Sequence, residues 1–301
     1  MNGRSGTPAG RRGGGSPPRP GLGDLLDGWR DELAGWAIPE EITSAVPQSP
    51  WVLPRQVFAR RADRVAAAPE GPSFLRAWGA LDPPGSVLDV GAGAGAACIP
   101  LLPRTTALTA VDTDPEMLEL LAQRAGALTG KVALVAGSWP EVAPEAAPAD
   151  VVTCYNVVYN APDILPFLAA LTASARRLVV VELTAEHPLV SMNRLWLQFH
   201  GLRRPSGPTA DDLLQILAAM GISASHKRWQ RPGAADYSSF AELAAVTTRR
   251  LCLPPERAEE VAAALLDDGA DPDQPVDLGT SRRDIVTIWW AGSAAGLDYA
   301  E

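Results

Sequence analysis

The most informative segment of the sequence is residues 87–95, VLDVGAGAG, in which a short apolar run leads into alternating glycines. This pattern is typical of a buried strand, a tight turn and the start of a helix. Glycine has no Cβ, so a bulky ligand can approach the backbone of such a turn closely. The first turn of a helix also presents N–H groups that lack partners within the helix. The segment therefore predicts a ligand site where a strand ends.

Two acidic residues accompany this turn. Asp89 lies inside the apolar run, two positions before Gly91, and a second apolar run ends in Asp112. A carboxylate at the end of the second strand can accept both hydroxyls of a ribose. A buried acid at position 89 suits an ammonium group better than a pyrophosphate. Thr113 or Asp114 is then expected to cap the next helix, with Pro115 in its first turn.

Strands and helices alternate from residue 86 onward. The short apolar runs predict seven strands, at Ser86–Val90, Ala107–Val111, Val132–Ala136, Val151–Cys154, Leu178–Glu182, 224–230 and Ile285–Trp290. Helices are predicted at about 95–102, 115–126, 164–176, 211–220 and twice within 237–268. Repeated β-α-β units imply right-handed crossovers and a doubly wound α/β sheet with both faces covered.

The N-terminal region has a different pattern. Residues 1–20 are rich in Gly, Pro, Arg and Ser, and we predict a disordered tail; the alternative is an arginine tail that contacts RNA. Residues 21–80 are predicted to form a helical cap, whose first helix carries Trp29 and Trp36 on one apolar face and ends at Pro39. The arginines after Pro54 are interpreted as a solvated basic face, with the alternative that one of them, such as Arg55, faces a carboxylate in the active site.

The main domain is predicted to span 81–301, with a lid insertion at 184–208 and a helical insertion at 237–268. The lid segment is rich in Trp, His and Arg. We expect the lid and the N-terminal helices to close over the ligand site, where their aromatic side chains would suit a small, partly apolar molecule.

The sequence resembles the class I S-adenosylmethionine-dependent methyltransferases, including uncharacterised bacterial members. The likeness rests on residues 88–95, 111–118, 136–140 and 149–156, which match four motifs of that family in order. It implies a Rossmann-like sheet of order 3-2-1-4-5-7-6, S-adenosylmethionine as cofactor and S-adenosylhomocysteine as product.

The same resemblance assigns cofactor contacts by position. The residues concerned are Asp89, Gly91, Gly93, Gly95, Asp112, Ser138, Trp139, Cys154 and Tyr155. Ser138 stands where the family usually has an acid over the adenine, and Trp139 could cover the adenine face instead. Cys154 and Tyr155 are expected to make backbone contacts to the methionine part.

Four residues are candidates for the chemistry. His187 follows the fifth strand and His200 lies in the lid, and either could be a general base because histidine titrates near neutral pH. Tyr159 and Asn160 follow the fourth strand and could meet the acceptor. The expected reaction is in-line methyl transfer to a small molecule. No Asn-Pro-Pro-Tyr or Asp-Pro-Pro-Tyr tetrad is present, which argues against methylation of planar exocyclic amines.

Composition limits the remaining classes. The net charge is −9 although residues 1–20 carry four arginines and no acids, so the rest of the chain would repel a phosphate backbone. Cys98, Cys154 and Cys252 have no metal-binding spacing and predict a reducing cytoplasm. No apolar run reaches the roughly 20 residues that a membrane span needs, and no secretory signal is expected.

Two other functions compete with methyl transfer. Gly91, Gly93 and Ala96 also satisfy the G-x-G-x-x-G/A pattern of dinucleotide sites, so an NAD(P)-dependent oxidoreductase is one alternative. A non-catalytic protein that binds S-adenosylmethionine is the other.

Overall fold

A computed structural model describes residues 20–44, 46, 50, 54–126, 131–278 and 284–293. Its strands are β1 (Gly85–Val90), β2 (Thr105–Asp112), β3 (Val132–Ala136), β4 (Ala149–Tyr155), β5 (Ala175–Thr184), β6 (Ser225–Gln230) and β7 (Asp284–Ala291). Its helices are α1 (Leu22–Ala34), α2 (Glu40–Thr43), α3 (Arg55–Ala67), α4 (Pro72–Ala80), α5 (Pro115–Arg124), α6 (Ile164–Ser174), α7 (Asn193–His200), α8 (Ala210–Ala219), α9 (Phe240–Arg250) and α10 (Ala258–Asp267). The tail predicted over residues 1–20 lies outside the described residues except for Pro20.

The strands form one seven-stranded sheet of order β3-β2-β1-β4-β5-β7-β6. Strands β1 to β5 pair in parallel, while β7 is antiparallel to both β5 and β6. β6 therefore runs in the same direction as β5, and the carboxyl ends of β1 to β6 lie along one edge. The predicted fold and strand order are confirmed.

Helices cover both faces of this sheet. On one face Trp29 of α1 packs with α6 and α8, and its indole N–H donates to the carbonyl of Ala161 at 2.9 Å. On the other face Ala77 of α4 packs with Leu101 and with Leu121 of α5. A third apolar cluster joins α3, α7, α9 and α10 beside the sheet. The N-terminal helices, predicted as one cap, are thus divided among three packing surfaces.

The segment after the glycine turn differs from its prediction. Instead of a helix at 95–102, turns lead into a 3-10 helix at Ile99–Arg104. Proline is the cause, since Pro100 and Pro103 lack the N–H groups that an α-helix would use. In the first helix, Ala34 is the last residue, before Pro39 is reached.

The arginines of α3 are not a solvated basic face, and that interpretation is wrong for Arg61 in particular. Its side chain is 16% exposed and pairs with Asp236 and Asp277, two buried carboxylates. Arg64 also reaches Asp236, at 2.8 Å. Within the described part of the chain, no helix has the length and apolar character to cross a membrane, and no cluster of metal-ligating side chains is found.

Candidate active site

A cavity of about 690 Å³ opens at the sheet edge where the parallel strands end. Its volume lies within the range of small-molecule and cofactor sites, roughly 300–1,000 Å³. The wall includes residues from the ends of β1, β2, β4 and β5, the loop after β3, and α3 and α4. This is the edge at which open α/β sheets bind ligands.

The glycine turn after β1 forms part of the wall. Gly91 and Gly93 line the cavity with φ of +71° and +51°, a backbone region that favours glycine. A Cβ on Gly91 would lie 2.2 Å from the side chain of Val157, whereas a Cβ on Gly93 would approach nothing closer than 3.5 Å. Gly95 is not in the wall; its φ of +92° and the nearby Ile99 indicate a glycine that the turn itself requires.

Asp112 also lines the cavity, at the end of β2. One carboxylate oxygen accepts the N–H of Gly93 at 2.8 Å, and the other accepts the N–H of Asp114 at 2.9 Å. Each oxygen keeps a further lone pair, so the carboxylate can still accept two hydroxyls. Asp114 is the residue that caps α5, through the N–H of Glu116.

Asp89 lies behind the wall and is 1% exposed. Its Oδ1 accepts the hydroxyl of Thr153 at 2.8 Å, while Oδ2 is buried and makes no hydrogen bond of good geometry with the described residues, although the thiol and backbone N–H of Cys98 face this carboxyl. Burial raises the pKa of this carboxyl to about 6. An unpaired buried carboxylate oxygen is costly unless a donor meets it, so its chemistry fits an ammonium group.

The loop after β3 contributes Ser138 and Trp139 to the wall. Trp139 is 9% exposed, and its indole N–H donates to the carbonyl of Phe167, another wall residue, at 3.3 Å. The ring is therefore held in place by α6. A fixed aromatic ring beside a hydroxyl is suited to cover a planar base.

The end of β4 leaves two polar atoms without partners in the described part of the chain. Tyr155 lines the cavity with a buried, unpaired hydroxyl, and Asn156 has an unpaired Oδ1. Asn156 has φ of +61°, and its N–H donates to the carbonyl of Glu182 at 2.7 Å. Cys154 is fully buried outside the wall, and burial raises the pKa of its thiol.

The structure brings two of the four candidate catalytic residues into contact, since the ring centroids of Tyr159 and His187 lie 5.1 Å apart, but that contact is outside the cavity wall. Asn160 lines the cavity, but Tyr159, His187 and His200 do not. The hydroxyl of Tyr159 bonds to Thr184 at 2.7 Å.

His187 is stacked on Trp36, with ring centroids 4.3 Å apart, and its Nδ1 accepts the N–H of Leu189. Burial, with Arg204 nearby, lowers its pKa to about 4. Nε2 of His200 lies 2.6 Å from the carbonyl of Leu251. Both histidines thus belong to the packing of the predicted lid, and no residue of 184–208 lines the cavity.

Several wall residues were missed by sequence reasoning. They are Phe74, Asn156, Glu182, Trp229 and Arg231. Glu182 had a signal, because it ends an apolar run just as Asp112 does. Trp229 lies in β6, a strand of mainly polar residues at the far edge of the sheet, and Arg231 directly follows that strand. Nothing in the local sequence marks either residue.

Arg55 is close to the cofactor motif. Its guanidinium pairs with Asp114 at 2.9 Å and with Glu116 at 2.7 Å, and it lines the cavity. The hydrogen bond from Arg55 lowers the pKa of the Asp114 carboxyl. Its partners are therefore the cap of α5 and its neighbour.

Comparison with protein families agrees with this geometry. Residues 87–178 match the family model of the methyltransferase domain. The chain therefore carries an S-adenosylmethionine-dependent methyltransferase domain with the sheet order of class I enzymes. This finding decides against the dinucleotide-dependent oxidoreductase. A comparison with curated proteins finds no match.

Three solved structures that this chain resembles at low identity are described as methyltransferases. A putative sarcosine dimethylglycine methyltransferase from Galdieria sulphuraria is 14% identical, with 90% of this chain and 99% of that chain covered and a TM-score of 0.49. Magnesium protoporphyrin IX methyltransferase from Synechocystis PCC 6803 with bound S-adenosylhomocysteine is 20% identical, with 68% and 86% covered and a TM-score of 0.42. A putative methyltransferase from Bacillus halodurans C-125 is 14% identical, with 77% and 97% covered and a TM-score of 0.43.

Proposed function

We propose that this methyltransferase domain transfers a methyl group from S-adenosylmethionine to an oxygen or nitrogen atom of a small molecule by in-line displacement. One observation carries the proposal. A single cavity joins a carboxylate with free lone pairs, Asp112, and the open glycine turn at Gly93 to a second wall of aromatic and charged side chains.

Five wall residues would hold the nucleoside part of the cofactor, and we call them the cofactor half: Gly91, Gly93, Asp112, Ser138 and Trp139. Asp112 offers its remaining lone pairs to the ribose hydroxyls. The ring of Trp139 and the hydroxyl of Ser138 are placed for the adenine. Asp89, with one unpaired oxygen, is placed behind the turn for the ammonium of the methionine part.

The bound cofactor supplies an electrophilic methyl group on a sulfonium, which leaves as a neutral thioether. The protein therefore has to align the acceptor atom behind the methyl and exclude water. A base is needed only when the acceptor must lose a proton during the attack. Of the four candidate residues for this chemistry, Asn160 is the one in the cavity wall. His187, His200 and Tyr159 would stabilise the surrounding structure and would not contact the acceptor.

A small-molecule acceptor is favoured over nucleic acid by charge. The chain carries a net charge of −9, and the arginines near the cavity are paired with carboxylates. Few unpaired cations are left there to neutralise phosphates. The three cysteines are free and buried, which favours a reducing compartment such as the cytoplasm.

Calorimetry and isotope transfer test the proposal. The full chain should bind S-adenosylhomocysteine and not NADH. With labelled S-adenosylmethionine and a cell extract, label should enter the small-molecule fraction. Cofactor binding without transfer to any fraction would indicate the non-catalytic alternative, and label in RNA or protein would contradict the small-molecule acceptor.

A further inference from the structure

The cavity extends past the cofactor half toward β5 and β6. Five wall residues there are called the acceptor half: Phe74, Tyr155, Glu182, Trp229 and Arg231. The strand order places β3, β2 and β1 on one side of β4, and β5, β7 and β6 on the other. The residues assigned to the nucleoside lie on the first side of β4, so the acceptor is expected to bind on the second side.

Glu182 is the buried acid of this half. It is 4% exposed, and its Oε1 pairs with the guanidinium of Arg231. Oε2 accepts no hydrogen bond from any residue that the structure describes, although Glu182 forms part of the cavity wall. The guanidinium of Arg231 meets one oxygen of Glu182 and leaves the other available for a ligand.

The hydroxyl of Tyr155 lies near this carboxylate. Tyr155 and Glu182 are register partners on adjacent parallel strands, and both line the cavity. Burial, followed by the charge of Glu182, raises the pKa of the Tyr155 phenol. The hydroxyl is therefore protonated and can donate, and it has no partner in the described part of the protein.

A free carboxylate oxygen beside a free O–H donor complements one kind of group. A hydroxyl donates one hydrogen bond and accepts another, so it can satisfy both Glu182 and Tyr155. A carboxylate ligand would be repelled by Glu182. An ammonium ligand would satisfy Glu182 and leave the Tyr155 hydroxyl without an acceptor.

The remaining walls of the acceptor half are aromatic and held in place. The indole N–H of Trp229 donates to the hydroxyl of Thr287 at 3.0 Å, and Thr287 bonds to Ser73 at 2.6 Å. The ring also fills the space above Gly71, where a Cβ would lie 2.8 Å away. The ring of Trp229 is thus fixed, with the guanidinium of Arg231 5.3 Å from its centroid, and Phe74 is a second aromatic residue of the wall. Aromatic walls favour a planar apolar ligand.

Resting on the proposed function, we propose that the acceptor is a planar aromatic compound bearing a hydroxyl group and that Glu182 accepts the proton of that hydroxyl. The acceptor oxygen forms a bond to the methyl carbon as the carbon–sulfur bond breaks, and that bond's electron pair stays on sulfur. The O–H proton passes to Oε2 of Glu182 and then to water. Tyr155 orients the attacking oxygen by donating to its second lone pair.

Probes that differ in one group test this assignment. In the presence of saturating S-adenosylhomocysteine, calorimetry compares 2-naphthol with 2-methoxynaphthalene, 2-naphthylamine and 2-naphthoate. The wild-type chain should bind 2-naphthol about tenfold more tightly than the other three, the increment expected for a charge-assisted hydrogen bond.

Variants then assign the effect to residues. Glu182→Gln should weaken 2-naphthol binding about tenfold and leave 2-methoxynaphthalene binding unchanged. Tyr155→Phe should also weaken 2-naphthol binding and leave 2-methoxynaphthalene binding unchanged, but the loss of affinity should be smaller. Glu70→Gln makes the matched change at an exposed acid of the same cavity and should have no effect on 2-naphthol. Thermal unfolding of each variant confirms that it is folded.

The outcomes separate two failures. If S-adenosylhomocysteine does not bind the wild-type chain, the proposed function itself fails. If it binds but 2-naphthylamine or 2-naphthoate binds best, or if neither Glu182→Gln nor Tyr155→Phe changes the preference for 2-naphthol, the assignment of the acceptor is overturned. Label transferred from S-adenosylmethionine to 2-naphthol by wild type and lost in folded Glu182→Gln supports it further.

Discussion

The two halves of the cavity are built in different ways. In the cofactor half, Asp112 is held by the backbone N–H groups of Gly93 and Asp114, which are close to it in sequence. In the acceptor half, Glu182 is paired with Arg231, and the aromatic ring of Trp229 is held by Thr287. The first half depends on local backbone geometry and the second on contacts between distant side chains.

This difference has a physical consequence. A turn that supplies its own N–H donors can bind a cofactor with few side chains. Side chains from distant elements can change without disturbing that turn. The side chains of the acceptor half can therefore differ between enzymes without disturbing the cofactor half. The elements around the acceptor half have to be stabilised by other contacts, such as the ion pairs that connect α3 to Asp236 and Asp277.

The largest effect is expected for Asp236→Asn. Asp236 is fully buried, accepts from Arg64 at 2.8 Å and from the N–H of Asp277 at 2.9 Å, and ties α3 to the segment after β6. Breaking a buried ion-pair network should lower the free energy of unfolding by about 3 kcal/mol. Urea denaturation measures this loss, and the affinity of the folded protein for S-adenosylhomocysteine should change little.

Glu260→Gln is the control for this change, because the Arg257–Glu260 pair is on the surface and should contribute little to stability. If Asp236→Asn were as stable as wild type, the ion pairs of α3 would not stabilise the fold. If the folded variant lost cofactor binding, these ion pairs would also support the cofactor half.

Asp112→Asn tests the cofactor half. The two carboxylate oxygens of Asp112 each accept a backbone N–H. The asparagine side chain has no charge, and its NH₂ group would face one of these N–H donors. We expect affinity for S-adenosylhomocysteine to fall about a hundredfold by calorimetry, with 2-naphthol binding largely kept. Asp267→Asn, at an exposed position of α10, is the matched control. An Asp112→Asn protein that bound the cofactor normally would refute the ribose contact.

Gly91→Ala separates backbone strain from steric contact. Gly91 and Gly201 have φ of +71° and +65°, so alanine is strained at both, by about 1 kcal/mol. At Gly201 no atom lies within 4 Å of the added Cβ, whereas at Gly91 it would be 2.2 Å from Val157. Thermal unfolding should therefore show a loss about twice as large for Gly91→Ala, or about 2 kcal/mol. Equal losses would show that Val157 moves aside freely.

The smallest effect concerns pH. Burial raises the pKa of Asp89 to about 6, above the value of about 3.9 in an unfolded chain. Asp89 therefore favours folding most below about pH 4 and loses that contribution as pH rises through 6. The binding of an ammonium ligand to Asp89 has the opposite pH dependence and becomes stronger as pH rises, because the ligand binds the ionised carboxylate.

The groups that face Asp89 are the hydroxyl of Thr153, the thiol of Cys98 and the carboxylate of Asp112. We expect affinity for S-adenosylhomocysteine to fall about tenfold between pH 7 and pH 5 in the wild-type chain. Asp89→Asn should be weaker at pH 7 and nearly independent of pH in this interval. A wild-type affinity that stayed constant over this range would show that Asp89 does not meet the ammonium group.

The position of the cofactor half in the cavity wall was predictable because its signals are local. The strand, the turn and Asp112 lie in one strand–crossover–strand unit, and such a unit has one handedness on a parallel sheet. The histidines were candidates because histidine titrates near neutral pH, and because His187 follows the fifth strand and His200 lies in the predicted lid. Stacking on Trp36 and the contact with Leu251 instead place the two side chains in packing contacts. Residue type showed which side chains could titrate but not where they would point.

Sequence alone determined the class I sheet, the position of its ligand edge and the residues of the glycine turn, because each depends on short-range pattern and on the handedness of crossovers. Tertiary structure alone decided that Glu182, Arg231 and Trp229 share one wall, and that the arginines of α3 meet Asp236 and Asp277. Those contacts join residues that are far apart in the sequence, with 49 positions between Arg231 and Glu182 and 175 between Arg61 and Asp236. Packing brings them together, and no local periodicity encodes that meeting.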